Sequence, residues 1–198
     1  MQIDMLKIIL YLRMIRMNNL EQIYKEKCET YSDIYEHLPV LREYTEKCDH
    51  VTEMGVRYVT STFAFMMGRP KKLISIDILP VENFNIDRNE LKKLAADNGV
   101  DFDFIVGDST KIEIENTDLL FIDTWHVYQQ LIKELTLHAN KVKKFIILHD
   151  TTKFGDMGEC GEGDGLWKAV EEFLDSNIDW MIDKRLINNN GLTILKKT

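Results

Sequence analysis

The sequence predicts an α/β domain built on a doubly wound, mostly parallel seven-stranded sheet with an antiparallel C-terminal strand. Three observations carry this expectation. Short, continuous apolar runs alternate with amphipathic helical patterns, as in a parallel sheet covered on both faces. Five successive apolar runs end on a carboxylate or a His-Asp pair: Glu53 with Gly55, Asp77, Asp108 with Ser109, Asp123, and His149 with Asp150. Finally, an Asn-Gly step separates the last two runs, a hairpin signal that turns the final strand antiparallel to its neighbours.

The elements follow in order along one domain, with an N-terminal helical segment over 1–48 and the core over 49–198. Met5, Ile8, Leu12 and Ile15 recur at helical spacing, so the first segment reads as an amphipathic helix that packs on the domain or on a second copy of the chain, a homodimer. Residues 18–48 continue as helix with a break near 37–39, at His-Leu-Pro. Strands are expected at 50–56, 72–78, 101–109, 118–123 and 144–150. A helix through 60–68 stops at Gly68 and Pro70, and another over 87–98 has Asp87 as N-cap and Gly99 as terminator. Val127, Leu131, Leu135, His138 and Val142 mark one face of a long helix, and Leu166, Val170, Phe173 and Leu174 mark another. The chain closes with strands at 180–186 and 192–197.

Composition narrows the function. The chain has 198 residues, a hydrophobic content of 44% and a formal net charge of −8, an ordinary globular balance without the clustered cations a nucleic-acid surface needs. A small molecule is the expected partner. Cys28, Cys48 and Cys160 form no CxxC pair, which suits a reducing cytoplasm. The apolar N-terminal run is broken by Lys7, Arg13 and Arg16 and is too short to span a bilayer. No GxxxxGK[ST], GxGxxG or GxSxG pattern occurs, which argues against a P-loop, a dinucleotide cradle and a nucleophile elbow.

In an open α/β sheet, ligands bind beyond the carboxyl ends of the strands, so the polar strand ends define the candidate site. If the strands ending at Asp123 and Asp150 are neighbours, their backbones lie ~4.8 Å apart and the two carboxylates face each other. Ionised carboxylates at that range need a proton or a cation between them. Two readings stand. Either a divalent metal is held by Asp123, His149 and Asp150, or His149 faces the core and Asp150 caps the turn after it. The glycine-rich stretch 154–165 follows directly and is either a closing loop or a solvated one.

The segments "VTEMGVRYVTSTFAF", "LISIDI", "FIVGDS", "LLFIDTWHVYQQLIKELTLHANKVKKFIILHDTTKFG" and "NNNGLTIL" together resemble a class I S-adenosylmethionine-dependent methyltransferase with a Rossmann-like core. Within that superfamily the chain is similar to the cephalosporin-hydroxylase-like and macrolide-sugar O-methyltransferase group, from about residue 30 onward. The resemblance implies S-adenosylmethionine as cofactor. It implies that Glu53, Gly55 and the backbone near Arg57 wrap the methionine end, that Asp77 grips the ribose hydroxyls, and that Asp108 and Ser109 sit by the adenine. It also implies that Asp123 binds magnesium and that His126 takes the proton from a substrate hydroxyl, in a sugar or similar small molecule. The group ends its fifth strand on an acidic pair. Here His149 replaces the first acid and Asp150 is kept, a departure that leaves three outcomes open: another metal such as manganese, a weaker site, or none. A SAM-binding chain without catalysis, serving as a regulatory or assembly subunit, is the alternative.

Overall fold

The structure is a computed structural model that describes residues 19–161 and 163–198; the helix expected over Met5 to Ile15 lies outside the described residues. The chain is helical over 19–29 (α1). There follow α2 (Leu38–Thr45), β1 (His50–Met54), α3 (Thr60–Gly68), β2 (Lys72–Asp77), α4 (Arg88–Asp97), β3 (Asp101–Val106) and β4 (Thr117–Ile122). The second half holds α5 (Tyr128–His138), β5 (Val142–His149), α6 (Leu166–Ser176), β6 (Trp180–Leu186) and β7 (Leu192–Lys197).

The seven strands form one sheet in the order β3-β2-β1-β4-β5-β7-β6. β1 pairs in parallel with both β2 and β4, β2 with β3, and β4 with β5, while β7 runs antiparallel between β5 and β6. The chain therefore winds outward from β1 to β3, returns to the other side of β1, and winds outward again. This reversal between β1 and β4 is the topological switch point.

Successive strand residues feed opposite faces, as the two-residue period requires. Val51, Leu73, Leu119, Phe121 and Ile147 join one apolar cluster with Leu38 and Leu41 of α2, Phe65 and Met66 of α3, and Leu91 of α4. Met54, Ile76, Leu120, Ile122 and Leu148 join the other, with Leu131 and Leu135 of α5 and Val170 and Phe173 of α6. Leu73, Leu119, Leu120 and Ile146 are fully buried, each contributing about 1.5–3 kcal/mol relative to exposure. That two-sided burial explains why the strands read as continuous apolar runs.

Local signals hold in detail at α4, where the Asp87 carboxylate accepts from Asn89 N at 2.7 Å and Glu90 N at 3.3 Å, and Gly99 follows with φ +81°. Three expectations are corrected. The first helical stretch is interrupted at 30–34, and Pro39 lies in the first turn of α2, where a missing N–H costs nothing. The helix starting after Val127 ends at His138, and Val142 begins β5. The Asn-Gly step sits inside a longer connection, 187–191, in which Asn189, Asn190 and Gly191 all have positive φ.

Candidate active site

A cleft of about 460 Å³ opens over the switch point, and Gly55, Arg57, Asp77, Asp108, Ser109, Asp123, His126 and Asp150 all line it. Four separately encoded carboxylates thus share one rim. The reason is the parallel sheet: β1 to β5 all point their carboxyl ends the same way.

The first loop is built around Gly55. Its φ is +83°, and a Cβ there would lie 1.9 Å from the carbonyl oxygen of Asp123, so the absence of a side chain lets the loop after β4 settle onto the loop after β1. Arg57 and Val59 also hold positive φ, 43° and 54°. Asp77 stabilises this turn from the next strand. Its Oδ2 accepts from Val56 N at 2.7 Å and Arg57 N at 3.0 Å, and its Oδ1 accepts from Leu79 N at 2.9 Å. Those bonds fill three of a carboxylate's roughly four lone-pair sites and leave one for a ligand. The Arg57 guanidinium turns to Asp33 at 3.1 Å. Asp108 closes its own turn, accepting from Thr110 N and Oγ1 and pairing with Lys111, which together hold its carboxyl far below the usual range.

Glu53 does not reach the cleft. It is fully buried within β1, where it accepts hydrogen bonds from Ser61 Oγ (2.5 Å), Thr62 Oγ1 (2.8 Å) and Ser75 Oγ (2.5 Å). Its carboxylate ties the start of α3 to the sheet.

At the other end, two imidazoles meet two carboxylates. His126 Nε2 lies 2.8 Å from Asp150 Oδ2 and 3.3 Å from Asp123 Oδ1. From the buried side, His149 Nδ1 lies 3.3 Å from Asp123 Oδ1 and 3.5 Å from Asp150 Oδ2. Behind it, His37 is fully buried edge-on to His149, with ring centroids 5.5 Å apart. Asp150 adopts φ 59°, a strained geometry for a non-glycine residue that aims its carboxylate back at the cleft. Burial works against charge on His126, but its hydrogen bonds to Asp123 and Asp150 outweigh that and raise its pKa to about 10. His149 is pushed up against its burial by the same carboxylates, and the two imidazoles in turn hold Asp123 and Asp150 low.

Asp123, His126 and Asp150 bring one oxygen, one nitrogen and one oxygen within 4.8 Å of one another, and the buried Asp150 Oδ1 has no hydrogen-bond partner. This donor set fits a divalent cation that tolerates nitrogen, such as Mn²⁺. The grouping differs from the expected one. His126 stands among the convergent donors in the place expected for His149, and His149 lies outside the cleft lining.

Three residues escaped the reading of the sequence. Glu159 of the glycine-rich stretch places Oε2 3.1 Å from His126 Nδ1, and its N–H donates to the His126 carbonyl at 2.9 Å. The ring of Phe154 stacks on His126 at 4.8 Å. The stretch is therefore docked onto His126. Glu134 of α5 is buried behind the cleft wall; three residues after Leu131 and four before His138, it stands on the helix face that the apolar spacing marks as buried.

No protein-family model and no curated protein matches the chain. Solved structures do match its fold. An O-methyltransferase from Bacillus cereus in complex with SAH is 13% identical, with a TM-score of 0.64 over 91% of each chain. The O-methyltransferase TomG from Streptomyces achromogenes, in complex with SAM, is 13% identical with a TM-score of 0.64, covering 90% of this chain and 89% of that one. The SAH-bound methyltransferase PaMTH1 of Podospora anserina is 15% identical with a TM-score of 0.61, over 90% of this chain and 87% of its own.

Proposed function

We propose that the chain transfers a methyl group from S-adenosylmethionine to a hydroxyl of a small molecule, with His126 receiving the hydroxyl proton. One observation carries this reading. The acids at the ends of β2 and β3, suited to a nucleoside, share a cleft with the Asp123–His126–Asp150 cluster, suited to a hydroxyl. Solved O-methyltransferases with SAM or SAH bound have the same fold, which agrees with it.

In this reading Gly55 and the strained turn after it let backbone approach the methionine end, Asp77 offers its remaining lone pair to the ribose, and Asp108 and Ser109 flank the base. Asp123 and Asp150 would hold a divalent cation such as Mg²⁺ or Mn²⁺, which leaves His126 Nε2 for the substrate proton. Bound there, it would polarise the acceptor oxygen and lower its pKa. Glu159 fixes the ring of His126 through Nδ1, which directs Nε2 to the carboxylates and to the substrate. A hydroxyl entering there separates Nε2 from its carboxylates and moves the His126 pKa down toward the working range. The neutral ring then accepts the proton while the oxygen takes the methyl group and the sulfonium leaves as a thioether.

The rim exposes Tyr58, Ile78, Leu79 and Trp125, with Trp125 52% exposed one residue before His126. A flat aromatic surface beside the base suits a sugar or aryl ring carrying the hydroxyl. The test is methyl transfer from labelled S-adenosylmethionine to a panel of sugars and phenols. His126→Asn should lower turnover by about 10²- to 10⁴-fold and leave SAH affinity within about threefold. Unchanged turnover would refute the role.

A further inference from the structure

Of the two oxygens on each carboxylate just past β4 and β5, the neighbouring imidazoles use one. His126 Nε2 lies 3.3 Å from Asp123 Oδ1 and 2.8 Å from Asp150 Oδ2. His149 Nδ1 comes to the same two atoms from the buried side, at 3.3 Å and 3.5 Å. The other oxygens, Asp123 Oδ2 and the buried Asp150 Oδ1, have no hydrogen-bond partner among the described residues. Both acids line the cleft, so these two atoms are the ones left for a ligand.

A carboxylate can turn about its last bond, and the oxygen that meets an imidazole N–H settles which one faces the cleft. His126 cannot hold that arrangement through a reaction in which its Nε2 turns to a substrate hydroxyl. His149 can. Its side chain is fully buried and lies outside the cleft lining, and the buried His37 ring packs against it at 77°. Its Nε2 meets no acceptor, so a neutral ring keeps its proton on Nδ1, and a charged ring keeps one there as well.

We propose that His149 is a positioning residue and not a ligand. One Nδ1–H shared between Asp123 Oδ1 and Asp150 Oδ2 holds both acids so that Asp123 Oδ2 and Asp150 Oδ1 face the cleft, where they would take a divalent cation. The inference rests on the cation in the reading above. A group that stands behind metal ligands in this way is typically worth about 10- to 100-fold in metal affinity.

Two measurements on the full chain test it. Long-range proton–nitrogen correlation NMR of the imidazoles, without metal, reports which nitrogen of His149 is protonated. Nδ1 is expected, and a bare Nδ1 overturns the proposal. Titration with Mn²⁺, followed by electron paramagnetic resonance, then compares wild type with two variants. The amide nitrogen of His149→Asn can sit where Nδ1 did, whereas His149→Leu fills the space without a donor. The Asn variant should keep Mn²⁺ affinity within about threefold and the Leu variant should lose at least about tenfold. Thermal melting reports whether the Leu variant folds. Where it does not, His149→Gln replaces it and should show the same loss, because its longer amide puts the donor at the Nε2 position. Equal losses in the Asn variant and its donor-less counterpart make His149 a ligand or a packing residue and overturn the proposal. Affinity kept in both shows that the acids need no positioning and overturns it too. If wild type binds no Mn²⁺ although Nδ1 is protonated, the cation reading is what fails, and this inference falls with it.

Discussion

Replacing Glu53 with Gln isolates the energetic consequence of burying an acid within the sheet. Glu53 has no solvent exposure; burial raises its pKa and the hydroxyls of Ser61, Ser75 and Thr62 offset only part of that, leaving it at about 7 against an ordinary 4.5. With each tenfold change in proton affinity worth about 1.4 kcal/mol, the rise corresponds to about 3 kcal/mol. The folded chain holds this proton more tightly than the unfolded one. Stability therefore falls as pH rises from about 4.5, and levels off above about 7. Gln cannot titrate. Urea unfolding of both proteins at pH 5 and pH 8 should show wild type losing about 2–3 kcal/mol more than Glu53→Gln over that interval. Other titrating groups are common to both and cancel in the comparison. Parallel pH dependences would refute the burial account of Glu53.

The remaining expectations concern the cleft. Gly55→Ala should destabilise the fold by about 3 kcal/mol or more in urea unfolding, since a Cβ 1.9 Å from the Asp123 carbonyl must displace backbone; wild-type stability would contradict the loop packing. Micromolar Mn²⁺ should broaden the ring resonances of His126 and His149 and spare those of His50, and Asp150→Asn should abolish the effect; unbroadened His126 and His149 signals would remove the cation from the site. Because His126 must be neutral to accept a proton and Asp123 and Asp150 raise its pKa, turnover should increase with pH through a midpoint above ~6.5. A flat profile between pH 6 and pH 9 would exclude it as the base. Glu159→Ala should lower kcat by about tenfold without changing SAH affinity; an unchanged kcat would show that the docked loop does not orient the ring.

The sheet was legible because burial on both faces writes itself as apolar runs, and because Asp87 and Gly99 carry local capping chemistry that needs no tertiary partner. The rim was legible for a related reason: a parallel sheet places every strand's carboxyl end on one edge, so Asp77, Asp108, Asp123 and Asp150 could be grouped before their neighbours were known. Side-chain direction was not legible. Glu53 follows the same pattern of an acid near a strand end, yet it stands one residue before the end of β1 and points to three hydroxyls contributed by α3 and β2. Glu159 and Glu134 reach the site through a loop conformation and a helix face. Glu159 leaves no mark in spacing, whereas Glu134 shares the helix face of Leu131, Leu135 and His138 and is an acid at a buried position. Pro39 was misplaced because a proline that ends one helix and a proline that opens another look alike without the N-cap geometry.

The most direct test of a nucleoside methyl donor seated at the switch point is an amide NMR titration of the full chain with SAH. Saturable shifts concentrated at Gly55, Val56, Arg57, Gly107 and Ser109 would bear the account out. No shifts at millimolar SAH, or shifts confined to α1 and α4 on the far side of the first loop, would contradict it.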